Sequence, residues 1–157
     1  MTPAINALKK KKISHTIHEY NHDPKSASYG LEAAQKLKVS PKTVFKTLVV
    51  KLDNNELAVG IVPVEQQLSM KRLAKALKAK KATMALSEEV ERSTGYVLGG
   101  VSPLGQKKRL KTVIDESAKS CESILVSAGR RGLDIELAPE SLAALLNGQF
   151  FNITQLS

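Results

Sequence analysis

Tryptophan is absent from this chain and aromatic residues make up only 4% of it, so platforms on which nucleic-acid bases stack are scarce. A single cysteine, Cys121, rules out an internal disulfide and a cysteine-rich zinc site and fits a reducing compartment. No apolar run approaches membrane-spanning length, and Met1-Thr2-Pro3-Ala4-Ile5 opens no signal-peptide hydrophobic region. The expected location is therefore the cytoplasm, with no membrane contact. Internal repeats, Pro/Ser-rich linkers and low-complexity tracts are also missing, so residues 1–157 read as a single domain large enough to bury a core.

What the chain has in excess is positive charge. Twenty-four Lys and Arg against fifteen Asp and Glu leave a net charge of +9. The excess is clustered at Lys9–Lys12, Lys71–Lys81, Lys107–Lys111 and Arg130-Arg131. Such clusters favour a polyanion, because neutralised phosphates release their counterions without any base being read. With so few aromatics, the grip would fall mainly on the backbone.

The pattern of apolar residues gives a coarse map. Thr2-Pro3 caps a short helix carrying Ile5 and Leu8, and Ile13–Tyr20 alternates as a strand. Leu31–Leu37 has helical spacing, and Ser40-Pro41 turns into a strong strand, Val44–Leu52. Asp53-Asn54-Asn55 is turn chemistry leading to Leu57–Val64, which predicts a hairpin. Ser69 caps a helix with Met70, Leu73 and Leu77 inward; Ser87-Glu88-Glu89 starts another, which Gly95 ends. Strands are expected at Leu110–Ile114, Ile124–Ser127 and Leu133–Leu137, then a helix over Pro139–Leu146 with Asn147-Gly148 as its stop. Tight turns with helices between them predict a mixed, largely antiparallel sheet curled toward a small barrel, rather than a doubly wound parallel sheet.

Three features carry candidate chemistry. The segment Ser93-Thr94-Gly95-Tyr96-Val97-Leu98-Gly99-Gly100-Val101-Ser102-Pro103-Leu104-Gly105 is a glycine-rich loop beside Lys107-Lys108-Arg109, suited to presenting backbone N–H groups to an anion; the alternative is a plain turn. It lacks the Gly-Lys-Ser/Thr ending of a nucleotide-binding P-loop. Lys46 lies in phase with Val44, Leu48, Val50 and Leu52, on the face that should meet the core. A lysine there must snorkel to the rim, pair with a carboxylate or enter a pocket. Asp134 shares a face with Glu136, opposite Leu133, Ile135 and Leu137. Taken alone the two acids read as solvent-facing, but they follow a second glycine loop, Ser127-Ala128-Gly129-Arg130-Arg131-Gly132, and together these can form a polar wall. His15 and His18 point to opposite faces of their strand, and no partner motif joins them or His22 in a metal site. Cys121 has no histidine near it in sequence and reads as incidental.

These residues together resemble the YbaK family, relatives of the editing domain inserted in prolyl-tRNA synthetases. The resemblance rests on Thr2-Pro3-Ala4, Tyr20 before Asn21-His22-Asp23-Pro24, Val44-Phe45-Lys46-Thr47-Leu48, Arg92-Ser93-Thr94-Gly95-Tyr96, and the two glycine loops with Leu133-Asp134-Ile135-Glu136-Leu137, and so covers almost the whole chain. It implies an α+β fold with a six-stranded barrel-like sheet and surrounding helices. It also implies an enzyme that clears cysteine from mischarged Cys-tRNA(Pro), with prolyl-tRNA synthetase as a transient partner and no metal or other cofactor. The family's essential lysine falls on Lys46 and its Gly-x-x-x-Pro loop on Gly99–Pro103, while Tyr20, Ser127 and Asp134 match other pocket positions, with Ser102, Pro103 and Gly129 beside them. The implied reaction uses the substrate's own thiol, with N–H groups of Gly99, Gly100 and Val101 stabilising the oxyanion. Two other readings stay open: a deacylase that clears alanine with activated water, and a non-enzymatic RNA-binding module that uses the basic clusters alone.

Overall fold

The helices begin where a capping side chain meets apolar spacing. In the computed structural model, which describes residues 1–26 and 28–155, Thr2 Oγ1 accepts the Ile5 N–H at 3.3 Å and starts α1 (Pro3–Lys11). Ala4, Ile5 and Leu8 of α1 are buried, and Lys9, Lys10 and Lys11 occupy its last turn, where the helix dipole favours cations. Ser28 and Ser69 cap α2 (Tyr29–Leu37) and α3 (Met70–Ala76) in the same way. In α4 (Ser87–Thr94), Glu89 reaches back to accept the Leu86 N–H, and Gly95, at φ +83°, ends the helix. Pro139 opens α5 (Pro139–Leu146) and Asn147 closes it.

Among the described residues eight strands follow the expected alternation or extend it: β1 (Thr16–Glu19), β2 (Phe45–Leu52), β3 (Leu57–Pro63), β4 (Ala82–Met84), β5 (Lys111–Asp115), β6 (Ile124–Arg130), β7 (Leu133–Leu137) and β8 (Gln149–Phe151). They form a three-stranded sheet, β1-β7-β6, and a five-stranded sheet, β4-β2-β3-β5-β8. Four of the six pairings are antiparallel; β3–β5 and β5–β8 are parallel. The fold is α+β with mixed sheets, as the sequence implies. Six of the strands are those the periodicity marks, and β4 and β8 add three-residue edges too short to leave a pattern. The sheets do not close into a ring but touch through a parallel bridge between Val44 and Leu125. β1 is shorter than Ile13–Tyr20 because Lys12 turns left-handed at the end of α1 and the Ile13 N–H bonds back to Leu8.

The largest core cluster fills the space between the two sheets, joining Phe45, Val49 and Ile61 to Ile124, Val126 and Ile135, with Ile5, Leu8 and Leu142 closing its ends. On the other face of β2 and β3, Val50, Leu52 and Val62 pack with Leu73 of α3. β2 is therefore covered on both sides, and any polar side chain on it needs a local opening. A third, smaller cluster sets Ala33 and Ala34 of α2 against Val44, Val64 and Leu125.

The glycine-rich segment after α4 is a pinned loop. Tyr96 is buried and its hydroxyl donates to the Leu104 carbonyl at 2.6 Å. At Gly105 (φ +69°) an added Cβ would come within 2.5 Å of the Pro3 main chain, so this loop sits directly on the start of α1. Replacing Tyr96 by Phe leaves the buried Leu104 oxygen without that donor. The expected cost is about 1–2 kcal/mol, read as a lower urea midpoint with an unchanged slope.

Candidate active site

Two stretches of main chain meet at the mouth of the site. A Cβ on Gly100 would lie 3.0 Å from Arg130 Cα and 3.3 Å from the Gly129 carbonyl, and one on Gly129 (φ +116°) would lie 2.7 Å from the Tyr96 ring. Only glycine permits that approach. Together with the start of β2 and the first turn of α2, the two loops enclose a cavity of about 320 Å³.

Six of the residues singled out in the sequence line this cavity: Tyr20, Lys46, Gly99, Val101, Ser127 and Asp134. The other four lie behind its wall. The Gly100 N–H donates to the Val97 carbonyl at 3.0 Å, whereas neither the Gly99 nor the Val101 N–H is engaged by another described residue. Ser102 is fully buried, its hydroxyl accepting the Leu104 N–H at 3.2 Å and its carbonyl accepting from Gln106, so it supports the loop from beneath. Pro103 is buried beside it. The Gly129 N–H donates to Ser127 Oγ at 3.1 Å, which fixes that hydroxyl at the wall.

Lys46 is half-buried, and among the described residues no carboxylate lies within ion-pair distance of it. Burial holds its ammonium below the usual lysine range. Lys51, in the opposite phase of β2, pairs instead with Glu89 at 2.9 Å. Next to Lys46, Thr47 Oγ1 is buried, lines the cavity and has no hydrogen-bond partner among the described residues.

Asp134 lies level with His18 on β1 and Ser127 on β6, because β7 runs between those strands. It is 7% exposed. Burial raises its carboxyl to about 7, with His18 opposing the shift. Tyr20 is pushed up to about 12, first by burial and then by the Asp134 charge. Glu136, on the same face, is tied to His18 at 2.8 Å and to Ser123; the Ser123 and His18 bonds hold its carboxyl below the usual range. The two acids thus separate, one held charged outside the cavity and one buried within it.

The sequence reading missed a second polar assembly at the mouth. Arg131 lies over the Tyr29 ring, with its guanidinium carbon 3.3 Å from the ring centroid, and donates to His22 Nε2 at 2.9 Å. His22 Nδ1 faces Glu32 Oε1 at 2.8 Å. Gly99 (φ +90°) leaves room for this stack, since a Cβ there would meet Tyr29 at 2.7 Å and Arg131 at 3.0 Å. Arg131 stood out as half of a basic pair in the second glycine loop; nothing in linear order ties it to a histidine 109 positions away.

Residues 24–145 match the aminoacyl-tRNA editing domain family. The chain belongs to that family. It is 39% identical over 155 residues to EbsC of Enterococcus faecalis, a candidate Cys-tRNA(Pro)/Cys-tRNA(Cys) deacylase, covering 98% of this chain and 93% of that protein. It is also 29% identical over 101 residues to a proline tRNA ligase of Kosmotoga olearia, covering 64% of this chain but 17% of the ligase. In three dimensions it superposes on the crystal structure of a candidate trans-editing enzyme for prolyl-tRNA synthetase with a TM-score of 0.86 at 22% identity, covering 98% and 96% of the two chains. No helix of the described residues is long and apolar enough to cross a membrane.

Asp134 gives this editing domain a stability that depends on pH. Its folded pKa, about 7, lies above the ordinary 3.8, so between those values the folded state binds more protons than the unfolded one and stability falls as pH rises. Asp134→Asn is expected to flatten that fall and to be more stable than the native chain at pH 8, by roughly 1–3 kcal/mol. Urea midpoints of the two proteins at pH 5 and pH 8 measure this.

Proposed function

We propose that this chain is a trans-editing deacylase that removes cysteine from Cys-tRNA(Pro), and from Cys-tRNA(Cys), by attack of the cysteine thiol on its own ester. The observation that carries this reading is the make-up of the cavity. It offers the Lys46 ammonium, an arginine guanidinium, one buried carboxylate and open backbone N–H groups, and among the described residues the Ser127 hydroxyl in it is hydrogen-bonded to the Gly129 N–H and not to Asp134. Cys121 lies outside it, and burial raises that thiol above its usual range. The similarity to EbsC supports the same substrate.

The chemistry balances without a further reactant. The cysteine sulfur bonds to the carbonyl carbon, the carbon–oxygen bond to the terminal ribose breaks, and the thiol proton ends on the ribose oxygen. The products are a cyclic thiolactone and free tRNA. Asp134 receives the substrate's α-ammonium, and that cation draws the carboxyl toward its charged form. The Gly99 and Val101 N–H groups face the oxygen that becomes negative, while Gly100 serves by shaping the loop. Lys46 holds the carbonyl or the terminal ribose, and Tyr20 and Ser127 fix the walls. Alanyl and prolyl esters carry no side-chain nucleophile, so discrimination against them goes beyond what a small difference in size supplies. The substrate is delivered by, or alongside, prolyl-tRNA synthetase.

Release of labelled cysteine from Cys-tRNA(Pro), with Ala-tRNA(Pro) as control, tests the proposal. The native protein is expected to clear the cysteinyl substrate and spare the alanyl one. Lys46→Met is expected to lose about 100-fold or more in rate while keeping or raising its melting temperature, because a desolvated ammonium is replaced by an apolar side chain of similar length. Equal clearance of both substrates, or full activity in Lys46→Met, overturns the reading.

A further inference from the structure

The assembly at the mouth leaves one positive charge uncompensated. Glu32 is 6% exposed and accepts from His22 Nδ1 at 2.8 Å, from the Asp23 N–H at 2.7 Å and from Lys36 at 3.3 Å. Burial opposes its charge, but the bonds from His22, Asp23 and Lys36 outweigh burial and hold its carboxyl below the usual range. Lys36 and Glu32 therefore cancel each other. With a carboxylate at Nδ1, that nitrogen carries the histidine proton and Nε2 accepts from Arg131, so His22 is neutral in this arrangement. Arg131 has no carboxylate within ion-pair distance among the described residues.

The guanidinium is fixed as well as unpaired. Tyr29 supports its face, His22 holds one N–H, and Gly99 leaves room at its edge. It lines the cavity that contains Lys46 and Asp134. An arginine held this way has already lost the side-chain freedom that binding would otherwise cost, and its remaining N–H groups form a fork suited to a phosphate.

The substrate class of the preceding section determines which anion meets it. In an aminoacyl ester the amino acid's carboxylate is consumed in the ester bond and its amine is cationic. The nearest negative charge is then the phosphodiester on the 5′ side of the terminal ribose. We propose that Arg131 binds this phosphodiester and that His22 and Glu32 are its positioning residues. The proposal rests on the tRNA reading, and it makes the mouth of the cavity a ruler that sets the ester carbonyl by its distance from the phosphate. It also separates the local role of Arg131 from the lysine clusters, which grip the tRNA body without fixing its end.

The test uses an uncleavable 3′-cysteinylamido-3′-deoxyadenosine, made with and without a 5′-phosphate that stands in for the phosphodiester. The native protein is expected to bind the phosphorylated form about 10- to 100-fold more tightly. Arg131→Ala is expected to bring that ratio close to one, and His22→Ala to lower it part of the way. If Arg131→Ala fails to fold, Arg131→Gln, which keeps the planar contact with Tyr29 but not the charge, takes its place. A native protein indifferent to the phosphate, or an arginine variant that keeps the full ratio, overturns the assignment. Turnover of Cys-tRNA(Pro) is measured alongside. Turnover without phosphate preference rejects the Arg131 assignment and leaves the deacylase standing; phosphate preference without turnover does the reverse.

Discussion

The cavity exists because two loops touch through bare main chain. Gly100 rests on the backbone of Gly129 and Arg130, and Gly129 rests on the Tyr96 ring. A methyl group at Gly129 would collide with the Tyr96 ring, and one at Gly100 would force the adjoining backbone to give by a few tenths of an ångström. Everything else at the site follows from that contact. It brings the segment after α4 against the β6–β7 hairpin, puts Gly99 and Val101 in the lining of the same cavity as Asp134 and Ser127, and leaves Gly99 facing the stacked pair of Tyr29 and Arg131. The loop is anchored in turn by Tyr96 and by the seat of Gly105 on α1, so the geometry of the mouth is tied to the main core.

Charge at the site is arranged by burial and neutralised in pairs. Lys51 with Glu89 and Lys36 with Glu32 are ion pairs outside the cavity or at its edge, and His18 is hydrogen-bonded to Glu136. Lys46, Asp134 and Arg131, which line the cavity, have no ion-pair partner among the described residues and are open to a ligand. A cysteinyl ester of a nucleotide offers a complementary group to each of them: a carbonyl or ribose oxygen, an ammonium and a phosphate. On the proposed function, that correspondence makes a substrate-assisted reaction economical, since the protein would have only to orient the thiol and stabilise the developing charge.

The parts of this arrangement that depend on local pattern were legible in the sequence. Alternation along β2 set Lys46 on an apolar face, which required a pocket, a rim or a partner; the structure supplies the pocket. The caps at Thr2 and Ser69, the opening proline of α5 and the stop at Gly95 follow from backbone chemistry that acts over three or four residues. Asp134 was harder, because alternation in β7 marks a face but not what covers it, and a strand held between β1 and β6 can bury its polar side. Gly99 and Gly100 suggested a ligand approaching the main chain; at Gly100 the close neighbour is the backbone of Gly129 and Arg130. The Arg131–His22–Glu32 chain left no local trace, since it joins a hairpin to a loop and a helix far apart in sequence. β4 and β8 are too short for any period to register.

The central claim is that the substrate's sulfur is the nucleophile. Its most direct test compares tRNA(Pro) charged with cysteine and with 2-aminobutyrate, whose side chain has a methyl group where cysteine has its thiol. The account predicts rapid release of cysteine and none of 2-aminobutyrate above the spontaneous rate. Comparable release of both would show that water is the nucleophile and would contradict it.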